Sequence, residues 1–415
     1  MLDIKKKNYI LIAACWFIYT STYLGKYSYN ANITMIMGQY GVTRAAAGLV
    51  SSSFFFAYGA GQILHGLFSG KYNMRWTVPV CFSVSALVNL AVALGAPFSS
   101  IKYLWALNAF ALAAVWPVLV RCLAESVEKS RHDSAVVLMG TTTPCGMLIS
   151  YGLSALFIAL GKWTIIFYVA FAVLLIIAVL WSVFFPKFFT ALAEDSPEEN
   201  NPCEKVKATA FAGKELVYGV VALCMLCAVA SFVRDGLGVW LPDVLKNSFG
   251  FADSVSVIMT LVLPAVGIIG GYAVTKLSNK ITDYVILCCV LFAFSAFAVG
   301  AGWIGIANGS CVLLIAGAAV CSCVLFGLAN IVSSKFPLSV KNKKNAGAIA
   351  GILNGSSYAG STISTYALGS AADASGWNGV FELLFIVCAV TAVLFVAVNF
   401  VKKIIFSHSA NTQRK

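Results

Sequence analysis

Long apolar runs recur along this chain, separated by short clusters of charge, glycine and proline. Read against the roughly 20 apolar residues that a bilayer-spanning helix needs, they predict six helices over 9–37, 44–69, 76–96, 101–127, 134–160 and 164–186. A second six are predicted over 215–246, 252–276, 282–307, 310–334, 345–372 and 379–405. Between the sets lies the longest polar stretch, around Glu194-Asp195-Ser196-Pro197-Glu198-Glu199, which reads as a linker rather than a domain. The expected fold is therefore an all-α membrane protein with 12 transmembrane helices in two six-helix bundles. Its parts are an N-terminal bundle (1–188), a linker (189–213), a C-terminal bundle (214–407) and a tail (408–415).

Composition narrows the class further. Of 415 residues 60% are hydrophobic and only 11% charged, against about 25% charged in ordinary soluble domains. This excludes soluble enzymes, nucleic-acid-binding domains and disordered tails. The net charge of +12 reports topology rather than a nucleic-acid partner. The loops on the side of the N-terminus carry 21 Lys and Arg, and those on the other side carry 4. Both termini, the linker and the tail are thus expected in the cytoplasm, and the plasma membrane is the expected location. The apolar run after Lys5–Lys7 continues into a full span without a processing site. Twelve of the 13 cysteines lie within apolar runs and act as small hydrophobes. Neither Cys224-Met225-Leu226-Cys227 nor Cys321-Ser322-Cys323 has zinc-site company, so no metal or cofactor is expected.

The two halves repeat each other. Gly66…Lys71 after the second helix matches Gly271…Lys276 after the eighth, and Arg75 matches Lys280. Trp163-x-x-x-Phe167 opens the sixth helix as Trp377-x-x-x-Phe381 opens the twelfth. Such a parallel repeat places a substrate site near the midplane between the halves.

These features resemble the major facilitator superfamily over nearly the whole chain. The loop signature G-x-x-x-D-R/K-x-G-R-R/K keeps Gly66, Lys71 and Arg75, with Gly70 at the acid and Asn73 at the second glycine. Within the superfamily the chain is most similar to the organophosphate:phosphate antiporters, carriers of glycerol-3-phosphate and sugar phosphates. Tyr23-Leu24-Gly25-Lys26 resembles their first-helix segment, with lysine at the arginine position. Trp116-Pro117-x-x-x-Arg121 matches their fourth helix, and Val233-Arg234-Asp235-Gly236 followed by Trp240-Leu241-Pro242 resembles their seventh. Lys343-Lys344-Asn345-Ala346-Gly347 and Gly376-Trp377-Asn378-Gly379-Val380-Phe381 are the tightest matches. Gln62 stands at a helix 2 lysine of the glycerol-phosphate carriers, and Thr141–Thr143 near their helix 5 histidine. The resemblance implies alternating-access transport by a monomer, with a small anionic solute as substrate and inorganic phosphate as counter-substrate.

Three basic residues fall inside spans: Lys26, Arg121 and Arg234. A charge at mid-bilayer costs several kcal/mol unless it faces protein or water, so each is a functional candidate. Lys26 and Arg234 lie at similar depth on equivalent helices and are expected to clamp one anion, Arg234 bidentately and Lys26 as a point charge. Tyr19, Thr22, Tyr23, Lys26 and Asn30 share a helical face. Asp235 follows Arg234, but adjacent helix positions diverge by about 100° and are expected to pair poorly. Arg121 has Glu125 at i+4, which suits a structural ion pair. Polar stripes of Tyr58, Gln62 and His65 on the second helix, and of Asn354, Tyr358, Ser361 and Thr365 on the eleventh, serve either cavity lining or helix–helix hydrogen bonding.

Lys26, Arg234 and Asp235 together leave the cavity near +1, which favours an anion. Exchange of anions needs no protonatable carboxylate, which favours antiport, although Asp235 leaves proton coupling open. Three function classes remain: an organic-anion carrier, a carrier of another class (a hexuronate symporter, a drug or lipid exporter), and a transporter-like sensor. An enzyme is not expected, because no nucleophile–base set appears. Membrane lipid is the expected surrounding.

Overall fold

A computed structural model describes residues 4–128, 131–193, 214–281, 284–332 and 346–412. The linker core, the Lys343-Lys344-Asn345 motif and the extreme termini lie outside the described residues. The described chain is helical throughout, and the apolar runs form the helices.

In the first half these are α1 (Ile4–Ala31), α2 (Ile33–Tyr40), α3 (Arg44–Phe68), α4 (Met74–Ala93), α5 (Phe98–Ala113), α6 (Val115–Ser126), α7 (His132–Gly140), α8 (Thr142–Ala159) and α9 (Ile165–Ala193). The second half has α10 (Lys214–Phe249), α11 (Asp253–Thr260), α12 (Val262–Lys280), α13 (Tyr284–Ala307), α14 (Cys311–Asn330) and α15 (Ala346–Thr412). Ten segments among the described residues are long and apolar enough to cross a membrane.

Four expected helices are interrupted, and three of the breaks have one cause. The α5/α6 break at Ala114, the α7/α8 break at Thr141 and the α11/α12 break at Leu261 each lie three residues before a proline: Pro117, Pro144 and Pro264. A proline ring clashes with the carbonyl four residues back and removes one helical hydrogen bond, so the helix breaks in the turn before it. Pro144 and Pro264 stand on facing helices of the two halves and both line the central cavity. The fourth break, at Asn32, separates α1 from α2. The Asn32 amide donates to the Ser28 carbonyl and to Ser154 Oγ on α8.

Turns are set by glycine. Gly41, Gly95, Gly161, Gly250, Gly309 and Gly376 adopt positive φ. Gly376 (φ 69°, ψ 178°) divides α15 into two helices at the start of the Trp377 motif.

The halves meet along two seams: α3 lies against the first part of α15, and α8 against α11 and α12. Large apolar side chains such as Phe17, Phe56, Leu87, Phe297, Val312 and Ile363 point outward, as a lipid-facing surface requires. The end of the bundle bearing Lys71, Arg75, Lys276 and Lys280 is called the basic end below.

Candidate functional site: a cavity between the two halves

A cavity of about 690 Å³ lies between the halves. Its rim at the basic end includes Leu123 and Ala124 of α6 and His132 and Ala135 of α7. Deeper, Tyr19, Tyr23 and Tyr27 of α1 face Arg234 and Asp235 of α10, with Asn354, Ser357, Tyr358 and Ser361 of α15 beside them. Tyr23 and Tyr27 stack with centroids 5.5 Å apart. A Cβ on Gly146 would lie 2.5 Å from the Tyr23 ring, so glycine at this position lets the ring lie against α8. Tyr23 Oη and Thr143 Oγ1 share a hydrogen bond of 2.6 Å. The threonine segment noted in the sequence therefore acts through the cavity wall.

Arg234 is held differently from the expectation. Its Nε donates to Asp235 Oδ1 at 2.7 Å and its Nη2 to Asp235 Oδ2 at 3.1 Å, so these neighbours form a bidentate pair. The long guanidinium arm bends back across the 100° divergence. The facing helix assists, since Ser361 Oγ on α15 donates to Asp235 Oδ2. Nη2 also lies 3.4 Å from Ser231 Oγ, while Nη1 makes no protein hydrogen bond among the described residues. The guanidinium sits 5.9 Å from the centre of the Phe326 ring.

Lys26 does not reach the cavity wall. The residue is 4% exposed, and its ammonium lies 4.6–4.8 Å from the ring centres of Tyr19, Tyr23 and Tyr58. It donates to Tyr58 Oη at 3.0 Å, and Tyr58 Oη in turn lies 3.3 Å from Tyr19 Oη. No carboxylate among the described residues pairs with it. In this structure a half-buried guanidinium lines the cavity and the Lys26 ammonium lies one aromatic layer behind the wall.

The other candidates divide. Tyr23, Gln62, Asn354 and Tyr358 line the cavity with Arg234 and Asp235. Tyr58 is buried behind it, and Asn30 turns away to accept a hydrogen bond from Ser51 Oγ at 2.7 Å. His65 also leaves its stripe, binding Tyr72 Oη and the Phe110 carbonyl. Arg121 pairs with Glu125 at 2.6 Å and donates to the Gly70 and Tyr72 carbonyls, tying α6 to the loop after α3. In that loop and its repeat, Lys71, Arg75 and Lys276 lie over the rings of Phe68, Trp76 and Tyr272. Gly66, Gly271 and Lys280 stand at the same basic end as those side chains.

The opposite end is closed by residues whose role the sequence reading missed. Arg44 at the start of α3 bonds Asp243 of α10 at 2.6 Å and lies 3.4 Å from Asp373 of α15. The Ala45 amide donates to Asp373, while Trp377 Nε1 and Asn247 Nδ2 donate to Asp243. Below this network Ser52 bonds Thr365 and the Thr362 carbonyl, and Tyr151 reaches the Gly238 carbonyl. The signal was an acid, Asp243, inside an apolar span. A buried acid requires a cation from a neighbouring element, and Arg44 lies at a helix end outside the apolar spans.

Residues 15–365 match the Major Facilitator Superfamily. The chain belongs to this superfamily. Among its relatives, the glucose-6-phosphate exchanger SLC37A2 of Bos taurus is 23% identical over 383 residues, covering 81% of this chain and 77% of that protein. The hexuronate transporter of Bacillus subtilis is 24% identical over 314 residues, covering 70% and 72%. The membrane sensor protein UhpC of Salmonella typhimurium is 26% identical over 140 residues, covering 34% and 31%. A bacterial homolog of the human lysosomal transporter Spinster, solved in an inward-facing and unoccupied conformation, superposes with TM-score 0.74 at 15% identity over 94% of this chain and 95% of that one. That likeness establishes the superfamily fold. The chain is a membrane transporter of this superfamily, not an enzyme.

Proposed function

We propose that the protein is a secondary active transporter that moves a small organic anion across the plasma membrane by alternating access. The observation that carries this reading is the Arg234 guanidinium, presented with unpaired N–H groups in a cavity between the two halves. The buried Lys26 ammonium adds a second positive charge behind the same wall.

The topology proposed with it is twelve spans with both termini cytoplasmic. Ten apolar segments become twelve when α1, whose polar stripe lowers its hydropathy, is included and the 46-residue segment Gly351–Val396 is divided at Gly376. The basic end is then cytoplasmic by its charge, and the cavity faces inward.

Exchange is the proposed mode, with inorganic phosphate, which unlike a phosphate monoester is substantially monovalent near neutral pH, as a counter-substrate. Among the described residues, no carboxylate of the first half lines the cavity to carry a coupled proton. Phosphorylated sugars and sugar acids, for which the relatives are named, are the two substrate classes this reading admits.

Proteoliposomes loaded with inorganic phosphate, or left empty, test it by uptake of labelled glucose 6-phosphate and glucuronate. Uptake of at least one anion that requires a loaded counter-anion and is lost in Arg234→Gln supports the reading. Equal uptake into empty vesicles under an inward proton gradient overturns exchange. Transport of neutral solutes alone overturns the anion assignment.

A further inference from the structure

The way Arg234 is held narrows which anion the cavity accepts. A guanidinium has five N–H donors in a plane, one on Nε and two on each Nη. Asp235 occupies the side edge, through Nε at 2.7 Å and Nη2 at 3.1 Å. Ser361 fixes that carboxylate from the facing helix. The end edge remains, one N–H of Nη1 beside the second N–H of Nη2, whose contact with Ser231 Oγ is long at 3.4 Å. One free edge of a planar fork matches two oxygens of one carboxylate or of one phosphate.

The charge around the cavity decides between them. Arg234 and Asp235 are the charged side chains among its described lining residues, and they cancel. Lys26 contributes one uncompensated positive charge from behind the tyrosine layer. The amides of Gln62, Asn330 and Asn354 and the stacked Tyr23 and Tyr27 rings also line the cavity. A carboxylate brings one negative charge and two acceptor oxygens, which this site balances. A phosphate monoester brings about −1.5 to −2 at neutral pH and three acceptor oxygens. Part of its charge and one of its oxygens would then be desolvated without a charged partner.

We propose, resting on the anion-carrier reading, that the cavity selects a monovalent carboxylate on a hydroxyl-rich body over a phosphate monoester. Asp235 is the residue that sets this selection, by neutralising one of the two cations. The amides supply donors and acceptors for hydroxyl groups, and the tyrosine faces cover the ring.

Three probes on one sugar ring test this: glucuronate, glucose 6-phosphate and glucose, titrated by thermal stabilisation of the purified full chain. The expected order is glucuronate tightest, glucose 6-phosphate weaker by about tenfold or more, and glucose weakest. In Asp235→Asn the glucose 6-phosphate to glucuronate affinity ratio should rise by about tenfold, because the cavity gains one positive charge. Asp253→Asn, which removes a carboxylate paired with Lys246 and outside the cavity lining, should leave the order and the ratio intact. Glucose 6-phosphate binding as tightly as glucuronate in the unmodified protein overturns the selection while leaving the anion-carrier reading in place. Glucose binding as well as glucuronate, or no binding by any probe, overturns the proposal. An unchanged ratio in folded Asp235→Asn removes Asp235 as its determinant. If Asp235→Asn does not fold, the order in the unmodified protein decides the selection.

Discussion

Replacing Arg44 by alanine should open the end of the transporter opposite the basic end. Asp243 is 3% exposed at its side chain and relies on Arg44 for charge compensation, at 2.6 Å. Removing one partner of a fully buried ion pair costs about 3–5 kcal/mol. Arg44 is 25% exposed, and Asp243 keeps its hydrogen bonds from Trp377 and Asn247, so the cost here is about 2 kcal/mol. That cost falls on the conformation in which the seam is closed. It is relieved when the halves separate and water reaches Asp243, so the open-to-closed ratio should rise about thirtyfold. Nitroxide labels at Gln39 and Asn378, both exposed near this end, report the separation as a distance distribution. A longer-distance population should grow in Arg44→Ala and recede in Arg44→Lys. An unchanged distribution in a protein of unchanged thermal stability would refute the idea that this network holds the end shut.

Three further outcomes follow from the same geometry. In Gly48→Leu the new Cβ would stand 2.3 Å from the Thr365 carbonyl, so the α3–α15 seam should be wedged apart and give the same shift in label distance. Gly152→Leu, where a Cβ meets nothing within 4 Å, is the control, and no shift in Gly48→Leu would contradict the seam's closeness. Lys26→Met should reduce anion uptake at least about tenfold while moving the melting temperature little, because a lost cation–π contribution of about 0.5–2 kcal/mol is offset by the relieved burial of charge; normal uptake would make Lys26 a structural cation. Cysteines placed at Lys162 and Lys276 should label from opposite faces of the membrane with an impermeant thiol reagent, and labelling from one face would sink the topology.

The helices were legible because their signal is local. Apolar runs, the glycines at 41, 95, 161, 250 and 309 and the repeated Trp163 and Trp377 motifs mark where segments begin and end. The breaks before Pro117, Pro144 and Pro264 are equally local, since each proline stands inside an apolar run, but span length by itself does not mark them. The site was legible only as faces. Tyr19, Tyr23 and Lys26 do share one side of α1, but how far Lys26 lies from the cavity depends on Tyr58 of α3, which helical periodicity does not encode. The Arg234–Asp235 pair escaped because spacing rules describe Cβ directions, whereas a guanidinium reaches several ångströms beyond its Cβ. Ser361, 126 positions away, completes the arrangement. Arg44 reads locally as a topology charge, and its partners Asp243 and Asp373 lie 199 and 329 positions away in the other half.

The central claim is that the free edge of Arg234 holds the transported anion. Uptake and thermal stability measured side by side for Arg234→Lys, Arg234→Gln and the Arg234→Gln/Asp235→Asn double variant test it most directly. If the fork is the ligand, Arg234→Lys weakens anion binding by about 1.5–3 kcal/mol, the range for hydrogen bonds to charged groups. Arg234→Gln then transports less still, and the double variant regains stability without regaining uptake. If Arg234 only neutralises Asp235, Arg234→Lys is nearly silent, and the double variant restores both stability and transport. Full uptake by that double variant would contradict the account.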